Sequence, residues 1–432
     1  MTNPISPELL MPAGSPQKME YAFAYGADAV YLGVPYFSLR ARENEFNLEA
    51  LHEARKMADE QGKKIYLTAN IFSKNRKIKP FESQLAHWVE AKPDAFIMSD
   101  PGLMMMAREK YPDLNIHLSV QANCMNWQTV KFWKESLGVS RIILSRELHI
   151  NEIKEIKQRV PEIELEAFVH GSICIAYSGR CLMSSYMSHR DANQGVCDNS
   201  CREKYKIYSA DEPVEKSDFY LEDMRAQGTL YQLSEDEHGT YLMNAKDLCL
   251  IEHLREIWDA GVCSFKVEGR TKSLNYVALV SQAYRKAIDD MVAGQEFDPK
   301  LRRDLDKVAN RGYHTGFMIQ QTPGAESQNY DTSISRNFSQ RFAGLVHAND
   351  EAPQDFLAVE VRNKIVPGQD CELIYPGEKI FNFKVGEILD KNHNPTDSAH
   401  GGAGTYFFKA PGLPKANYGI MSLKMNSQEV GI

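Results

Sequence analysis

The chain has 432 residues, which is more than one hydrophobic core of ordinary size accommodates, so we expect two domains. Its apolar fraction of 43% and charged fraction of 25% are typical of a globular protein and exclude a disordered or fibrous chain. The 50 Lys and Arg residues against 58 Asp and Glu residues give a net charge of −8, which excludes a uniformly positive nucleic-acid-binding surface but not a local basic groove.

The beginning of the chain and its hydropathy bear on cellular location. Residues 1–15 are interrupted by prolines and polar side chains and lack the apolar core of a secretory signal. No apolar run reaches the roughly 20 residues that a membrane-spanning helix needs. We therefore expect a cytoplasmic protein without a membrane partner. In that reducing compartment, clustered cysteines bind metals or take part in catalysis more often than they form disulfides.

The first 170 residues alternate short apolar runs with segments of helical periodicity. Near-continuous apolar character predicts strands buried on both faces, as in a parallel sheet. Several of the intervening segments begin with Ser, Asn or Pro, which suit a first helical turn. Seven such units in this region and an eighth at residues 263–270 predict an α/β protein with a (β/α)8 TIM-like barrel, and an open doubly wound sheet is the alternative because a count of units does not show closure. The predicted strands are 8–13, 28–34, 63–70, 94–100, 115–123, 140–147, 163–171 and 263–270.

The rest of the chain departs from this rhythm in two places. Residues 202–245 are polar and acidic, so we expect a cysteine-rich insertion at about 172–245 within a barrel domain of residues 1–330. After residue 337, short β-branched and aromatic runs, among them residues 380–390, are separated by Gly, Pro, Asn and Asp. This pattern predicts a small C-terminal antiparallel β domain, residues 337–432, in the form of a β-barrel.

Four of the eight cysteines lie within 28 residues, with the spacing C-x6-C-x15-C-x3-C. Four thiolates suit either a tetrahedral zinc ion or an iron–sulfur cluster. Zinc sites usually contain closely spaced cysteine pairs, and only the second pair is close, so the spacing favours a cluster and leaves zinc as the alternative. The clustered residues are Cys174, Cys181, Cys197 and Cys201, whereas Cys124, Cys249, Cys263 and Cys371 occur singly and are expected in the core.

Polar residues at the ends of the predicted strands form the second group of candidates. In a TIM-like barrel the active site lies at the carboxyl ends of the strands, and Arg pairs well with a small carboxylate substrate. We assign proton transfer to His170 and Glu147, although a hydrogen-bonded strand-end histidine is the alternative for the former. Surface ion pairs and strand-end caps are the alternatives for the others. The expected substrate-binding residues are Arg40, Gln121, Asn123, Arg146, Glu268, Arg270 and Lys272.

Residues 166–184, EAFVHGSICIAYSGRCLMS, match the pattern E-x-F-x2-G-[SA]-x-C-x4-G-x-C-x-x-S. With segments such as ELLMPAGS, YGADAVYLG, HLSVQAN and FKVEGRTKS, they make nearly the whole chain resemble the peptidase U-32 family, the so-called collagenase-like proteases. The resemblance implies O2-independent hydroxylation of the tRNA wobble uridine to 5-hydroxyuridine, with prephenate as co-substrate. It also implies a [4Fe–4S] cluster on Cys174, Cys181 and Cys197, with Cys201 as the natural fourth ligand, and a partnership with the iron–sulfur assembly machinery.

The resemblance leaves other activities open. Some members of the family hydroxylate a cytidine of ribosomal RNA or a quinone precursor, and the family label indicates a collagenase-like peptidase. Peptide hydrolysis needs an activated nucleophile or a metal-bound water, and the sequence has no zincin motif and no Ser/His/Asp pattern. If the four clustered thiols bind a cluster, none remains in the motif as a nucleophile. We therefore favour hydroxylation over proteolysis.

Overall fold

The computed structural model describes residues 6–39, 45–174, 176–188, 190–197, 199, 201, 219–222, 230–236, 239–241, 245–320 and 340–425. Arg40, which was predicted to bind substrate, lies outside these residues. The same holds for residues 321–339, so the bounds 1–330 and 337–432 stay predictions.

Eight parallel strands form a closed barrel. Each barrel strand pairs with the next barrel strand along the chain, and the eighth pairs with both the first and the seventh, so the barrel is closed. The predicted TIM-like barrel is therefore confirmed, and the open sheet is excluded. The strands are β1 (Glu8–Pro12), β2 (Ala29–Gly33), β3 (Lys64–Ala69), β4 (Ala95–Met98), β5 (Ile116–Leu118), β6 (Arg141–Ile143), β7 (Glu164–Gly171) and, after the insertion, β12 (Val262–Val267).

Helices surround the barrel, and several of them begin where the sequence has capping residues. Ser15, Asn47 and Asn126 each accept a hydrogen bond from a backbone amide of the first helical turn, which satisfies a donor that the helix itself leaves free. The barrel helices are α1 (Pro16–Ala24), α2 (Leu48–Glu60), α3 (Ile78–Glu90), α4 (Pro101–Lys110), α5 (Trp127–Leu137), α6 (Ile150–Arg159), α8 (Leu254–Asp259) and α9 (Leu274–Val292). No helix in the described part of the chain is both long and apolar enough to cross a membrane.

The segment between β7 and β12 adds elements outside the barrel. It contains α7 (Met183–Ser188) and a three-stranded antiparallel sheet of β8 (Phe219–Glu222), β9 (Leu230–Asp236) and β10 (Gly239–Tyr241). A further strand, β11 (Asp247–Cys249), pairs antiparallel with the end of β7 and parallel with β13 (Tyr313–His314). The short helices α10 (Pro299–Asp304) and α11 (Gly316–Ile319) flank β13.

The C-terminal region is a separate eight-stranded antiparallel sheet in the order β17-β16-β21-β14-β15-β20-β18-β19. The predicted run 380–390 is divided between two strands that lie far apart in this order. The strands are β14 (Gln340–His347), β15 (Phe356–Val361), β16 (Asp370–Tyr375), β17 (Lys379–Lys384), β18 (Ile388–Leu389), β19 (Pro395–Thr396), β20 (Thr405–Lys409) and β21 (Gly419–Lys424). The sheet docks on the barrel at the C-terminal end of α1, where the hydroxyl of the C-cap residue Tyr25 donates to the carbonyls of Ile374, at 2.9 Å, and Tyr418, at 2.8 Å.

Candidate active site: a cysteine-lined barrel mouth

A cavity lies at the carboxyl ends of the barrel strands and is covered by the loop that follows β7. Residues from β2, β3, β4, β6, β7 and β12, and from the segment that follows β5, contribute to its wall, as expected when parallel strands end at the same face. The predicted residues that line it are Gln121, Arg146, Glu147, Cys174, Cys181, Cys197, Cys201, Glu268 and Arg270. The structure thus brings both predicted groups, the thiols and the strand-end polar residues, to one place.

Specific contacts hold the cysteine loop over the mouth. The amide of Ser178 donates a hydrogen bond of 3.0 Å to Glu147 Oε1, and Asn193 Nδ2 donates one of 3.0 Å to the Cys181 carbonyl. Gly179 has φ +72°, and a Cβ atom there would lie 2.1 Å from the Gln121 carbonyl oxygen. The glycine of the motif is therefore required by a close approach of two backbones and by a left-handed conformation.

The thiols surround the cavity without meeting at one point. Cys174 is exposed and the other three are partly buried, and Cys197 Sγ accepts a 3.4 Å hydrogen bond from the Asn199 amide. Among the residues that the structure describes, no three His, Cys, Asp or Glu side chains are close enough to hold a metal ion. Four thiols on one cavity are a donor set that fits a soft metal or cluster, and binding would draw the loop segments together.

Two polar atoms at the mouth have no partner within the described chain. They are Arg146 Nε and Gln121 Oε1, and both are buried. The Arg146 guanidinium lies 4.0 Å from the centroid of the Phe168 ring, which fixes its plane. Buried polar atoms without partners are costly, so this pair marks a position where a polar ligand is expected to bind.

Arg270 has a different environment, although it lines the same cavity. Its Nη1 donates 3.0 Å to Thr68 Oγ1, and its Nη2 donates to the Leu39 carbonyl. The Arg270 side chain also packs closely against Gly33, because a Cβ atom at that position would lie 2.3 Å from Arg270 Nη1. Arg270 therefore braces the loop after β2 in addition to presenting positive charge at the mouth.

Lys266 is a cavity residue that sequence reasoning missed. Its Nζ lies 2.7 Å from Glu166 Oε1 and 4.3 Å from the centroid of the Tyr31 ring. Burial lowers the pKa of Lys266, and the ion pair with Glu166 only partly offsets that effect. A lysine within an otherwise apolar strand, SFKV, is the signal that marks it, because a charge there must point into the barrel or find a partner.

A polar network beneath the cavity supports this lysine. Glu166, the first residue of the family pattern, lies 3.1 Å from Arg141 Nη1, and that same nitrogen lies 2.6 Å from Glu8 Oε1. Burial opposes the ionisation of Glu8, but Arg141 and a hydrogen bond from Tyr66 outweigh it and hold the pKa of this carboxyl below its usual value. The conspicuous glutamate of the motif therefore belongs to the barrel interior.

His170 is not brought to the cavity among the described residues, contrary to expectation. The pairing between β7 and β12 changes register here. Lys266 pairs with Phe168, but the next residue, Val267, pairs with His170, so β7 contains one extra residue. This bulge turns the histidine from the barrel interior towards α9, where its Nδ1 lies 3.2 Å from Tyr284 Oη. Burial lowers the pKa of His170 to about 3, so the imidazole is neutral at physiological pH.

Two further predicted residues lie near the mouth but outside the described cavity wall. Asn123 Oδ1 lies 2.5 Å from Ser145 Oγ, which is also 2.7 Å from Glu147 Oε2, so Asn123 orients Glu147 indirectly. Lys272 Nζ lies 3.5 Å from the Ala309 carbonyl and 5.4 Å from the centroid of the Tyr276 ring. Both side chains are placed to support neighbouring segments rather than to line the cavity.

Fold and site together define a TIM-like barrel protein whose mouth combines four thiols with buried cations. Residues 14–329 match the sequence profile of peptidase family U32, and residues 339–421 match the profile of the U32 C-terminal domain. The chain belongs to this family.

Curated relatives of the chain carry two kinds of name. It is 44% identical to the tRNA hydroxylation protein P of Haemophilus influenzae, with 98% of this chain and 97% of that protein covered. It is also 44% identical to the Escherichia coli protein of the same name, with 96% of each covered. A more distant relative, the collagenase of Porphyromonas gingivalis, is 29% identical and is covered over 77% of its length by 76% of this chain.

Proposed function

We propose that this protein is an enzyme that hydroxylates tRNA, converting the wobble uridine to 5-hydroxyuridine without O2 and with prephenate as co-substrate. The observation that carries the proposal is that four thiols line the same barrel mouth as Arg146, Lys266 and Arg270. This arrangement occurs in a chain that matches proteins named for tRNA hydroxylation over nearly its whole length. Because tRNA is modified in the cytoplasm, we expect the protein to act there.

The cations at the mouth suit a small dicarboxylate. Arg146 offers a nitrogen that is buried and has no partner within the described chain, and Lys266, which is paired with Glu166, lies in the same cavity. Removing water from a charged group strengthens its attraction for an oppositely charged ligand. A carboxylate of prephenate at this position would satisfy Arg146 and balance the positive charge.

The four thiols would hold a [4Fe–4S] cluster, and zinc is the alternative. Cys174, Cys181 and Cys197 are the proposed ligands, as the family resemblance implies, and Cys201 is the fourth thiol on the same cavity. Such a cluster supplies redox chemistry that amino-acid side chains lack. Its insertion implies the iron–sulfur assembly machinery as a partner, and binding would close the loop over the mouth.

Carboxylates rather than the histidine are the proposed proton-transfer groups at the mouth. Glu147 and Glu268 both line the cavity, and Glu268 Oε2 lies 3.5 Å from Tyr31 Oη. Burial raises the pKa of Tyr31 well above its ordinary value, so this hydroxyl stays protonated and can donate. A uridine base must leave its stack to reach such a site, because C5 is inaccessible within a stacked strand.

The test is reconstitution under anaerobic conditions. Purified protein is analysed for iron, sulfide and zinc, and then incubated with prephenate and tRNA from cells that lack the gene. Nucleoside mass spectrometry should detect 5-hydroxyuridine with wild-type protein and with Lys154→Gln, which changes an exposed residue of α6. Arg146→Gln should lose most of the product. Cleavage of gelatin without any modified uridine would instead support the peptidase alternative.

A further inference from the structure

A strongly basic loop lies at the mouth of an otherwise acidic protein. Residues 73–80, SKNRKIKP, comprise the loop after β3 and the first residues of α3, and we call them the basic loop. They contain four cations and no acidic residue, although the whole chain has a net charge of −8. Lys74, Arg76 and Lys79 are exposed. Local concentrations of positive charge against a negative background are the electrostatic signature of contact with a polyanion.

An exposed tyrosine stands beside this loop. Tyr36, in the loop after β2, has 78% of its surface exposed, whereas most large aromatic residues of the barrel are buried. Lys77 Nζ donates a 2.6 Å hydrogen bond to the Tyr36 carbonyl, which joins the two loops. Tyr36 also has φ +62°, a left-handed conformation that is costly for a tyrosine and occurs mainly where the surrounding structure enforces it.

The residues that follow Tyr36 are firmly anchored, so its exposure is imposed by the fold. The Phe37 ring packs against those of Phe81 and Trp88 with centroid distances of 5.5 Å in both cases. The Leu39 amide donates a 3.1 Å hydrogen bond to Asn70 Oδ1. A tyrosine held out by such neighbours keeps a rigid aromatic face in solvent, which lowers the entropic cost of stacking on a ligand.

The same surface is connected to the catalytic mouth. Lys74 Nζ lies 3.9 Å from Asp191 Oδ2 in the cysteine loop, and Gln194 Nε2 donates to the Phe72 carbonyl. Leu39, three residues after Tyr36, lines the cavity itself. A strand of RNA that lies on the basic loop would therefore pass directly beside the cavity entrance.

We propose that Tyr36 and the exposed cations Lys74, Arg76 and Lys79 form the surface that receives the RNA single strand. The cations contact backbone phosphates, and the Tyr36 ring stacks on a nucleobase next to the one that enters the mouth. Stacking on an aromatic side chain and phosphate contacts from Lys and Arg are the usual means of holding single-stranded RNA. The inference rests on the proposed function and deepens it by locating the approach of the RNA.

The electrostatic part is tested by fluorescence anisotropy with a labelled RNA hairpin that carries an anticodon loop, over a range of salt concentrations. The variant Lys74→Gln/Arg76→Gln/Lys79→Gln should lower the slope of log affinity against log salt by about 2, since each single-strand phosphate contact accounts for roughly 0.7. The matched control Lys56→Gln/Lys110→Gln/Lys154→Gln removes three exposed lysines from the outer helices α2, α4 and α6 and should leave the slope unchanged.

The stacking part is tested at Tyr36 alone. Tyr36→Leu should weaken hairpin binding about tenfold, and Tyr36→Phe should retain wild-type affinity because stacking needs the ring and not the hydroxyl. Tyr36→Gly should also weaken binding but should not lower the melting temperature, since glycine tolerates the left-handed backbone. A purely structural tyrosine would give the opposite pattern, with thermal stability lost and RNA affinity kept.

The outcomes separate this inference from the proposed function. If the triple variant and Tyr36→Leu both bind the hairpin as the wild type does, and still hydroxylate tRNA, the surface is wrong and the activity stands. If wild-type protein neither binds the hairpin nor hydroxylates tRNA, the proposed function is overturned together with the surface. Loss of affinity in both variants with the predicted salt slopes supports both.

Discussion

Lys266 and Glu166 form a salt bridge of 2.7 Å in which the side chains are 3% and 0% exposed. The pair lies between the cavity, which Lys266 lines, and the network of Arg141 and Glu8 below it. The family motif therefore begins with a residue whose contribution to the site is indirect: Glu166 holds a lysine in the barrel mouth. Buried pairs of this kind are sensitive to the loss of one partner.

Lys266→Met should lower the free energy of unfolding by about 3 kcal/mol, because Glu166 is then left buried with fewer partners. The value is at the low end of the usual range, since Arg141 and Ser264 still contact Glu166. Urea-induced unfolding measures the change. The control Lys64→Met removes a lysine that is 55% exposed and 3.8 Å from Glu8, and it should cost less than about 1 kcal/mol. Equal losses of unfolding free energy in Lys266→Met and Lys64→Met would contradict the larger contribution assigned to the buried pair.

His170 predicts a pH dependence of stability. Its pKa is about 3 in the folded protein because of burial, against 6.5 ordinarily, so below pH 6.5 the unfolded chain binds a proton that the folded chain does not. The free energy of unfolding should therefore fall as the pH is lowered from about 6.5 towards 3, by up to about 1.4 kcal/mol per pH unit from this residue. Above pH 6.5 the histidine is neutral in both the folded and the unfolded chain, so its protonation no longer lowers the free energy of unfolding.

The measurement compares wild type with His170→Gln by chemical unfolding at about pH 7 and pH 4.5. Other titrating groups are common to both proteins, so the difference between them isolates His170. The variant is expected to be less stable at the higher pH and to lose about 2–3 kcal/mol less than the wild type on acidification. Parallel pH curves would show that the histidine is not kept neutral in the folded protein.

The two classes of cysteine should respond differently to substitution. Cys181→Ala removes a thiol from the cavity and should abolish the visible absorbance of the cluster, lower the iron content and eliminate tRNA hydroxylation. Cys371→Ala removes a buried thiol of β16 in the C-terminal sheet and should cost stability while leaving iron content unchanged. Iron analysis and spectra of anaerobically purified proteins decide the matter, and full iron content in Cys181→Ala would remove this residue from the site.

The two arginines of the mouth should separate co-substrate binding from RNA binding. Arg146→Gln should weaken prephenate binding by one to two orders of magnitude and leave RNA affinity unchanged, since its environment is a ring and an open cavity. Arg270→Gln should weaken both, because Arg270 also holds the loop that carries Tyr36 through the Leu39 carbonyl. Calorimetry with prephenate and anisotropy with the RNA hairpin measure the two affinities. Equal changes in prephenate affinity and in RNA affinity for the two variants would contradict the different roles assigned to Arg146 and Arg270.

Gly179 offers a test of the cysteine loop. Gly179→Ala places a Cβ atom 2.1 Å from the Gln121 carbonyl oxygen, so the loop must move away from the segment after β5, and the protein should lose iron and activity. Gly62→Ala is a matched control, because Gly62 also has positive φ, +63°, but nothing lies within 4 Å of the added atom. The control should cost only about 1 kcal/mol of stability and retain its iron. Retention of iron in Gly179→Ala would show that loop placement does not govern assembly of the site.

Much of the fold and part of the site could be predicted from the amino-acid sequence. Continuous apolar runs predicted all eight barrel strands, because a strand that is buried on both faces is apolar along most of its length. The same local reasoning treated residues 380–390 as one continuous run, although the C-terminal sheet divides them between β17 and β18, which are far apart in its order. Pairing between distant segments has no local signal, which is why that prediction was wrong.

The sequence by itself determined which side chains are available at the mouth: the spacing of four cysteines and the polar ends of the strands identified nine of the residues that line the cavity. Only the tertiary structure decided where other side chains point. One bulge in β7 turns His170 outward to Tyr284, a long-range ion pair holds Lys266 inside the barrel, and anchored neighbours keep Tyr36 in solvent. The physical reason is that side-chain direction in a barrel depends on register between strands that are distant in the chain, and no local pattern of residues records it.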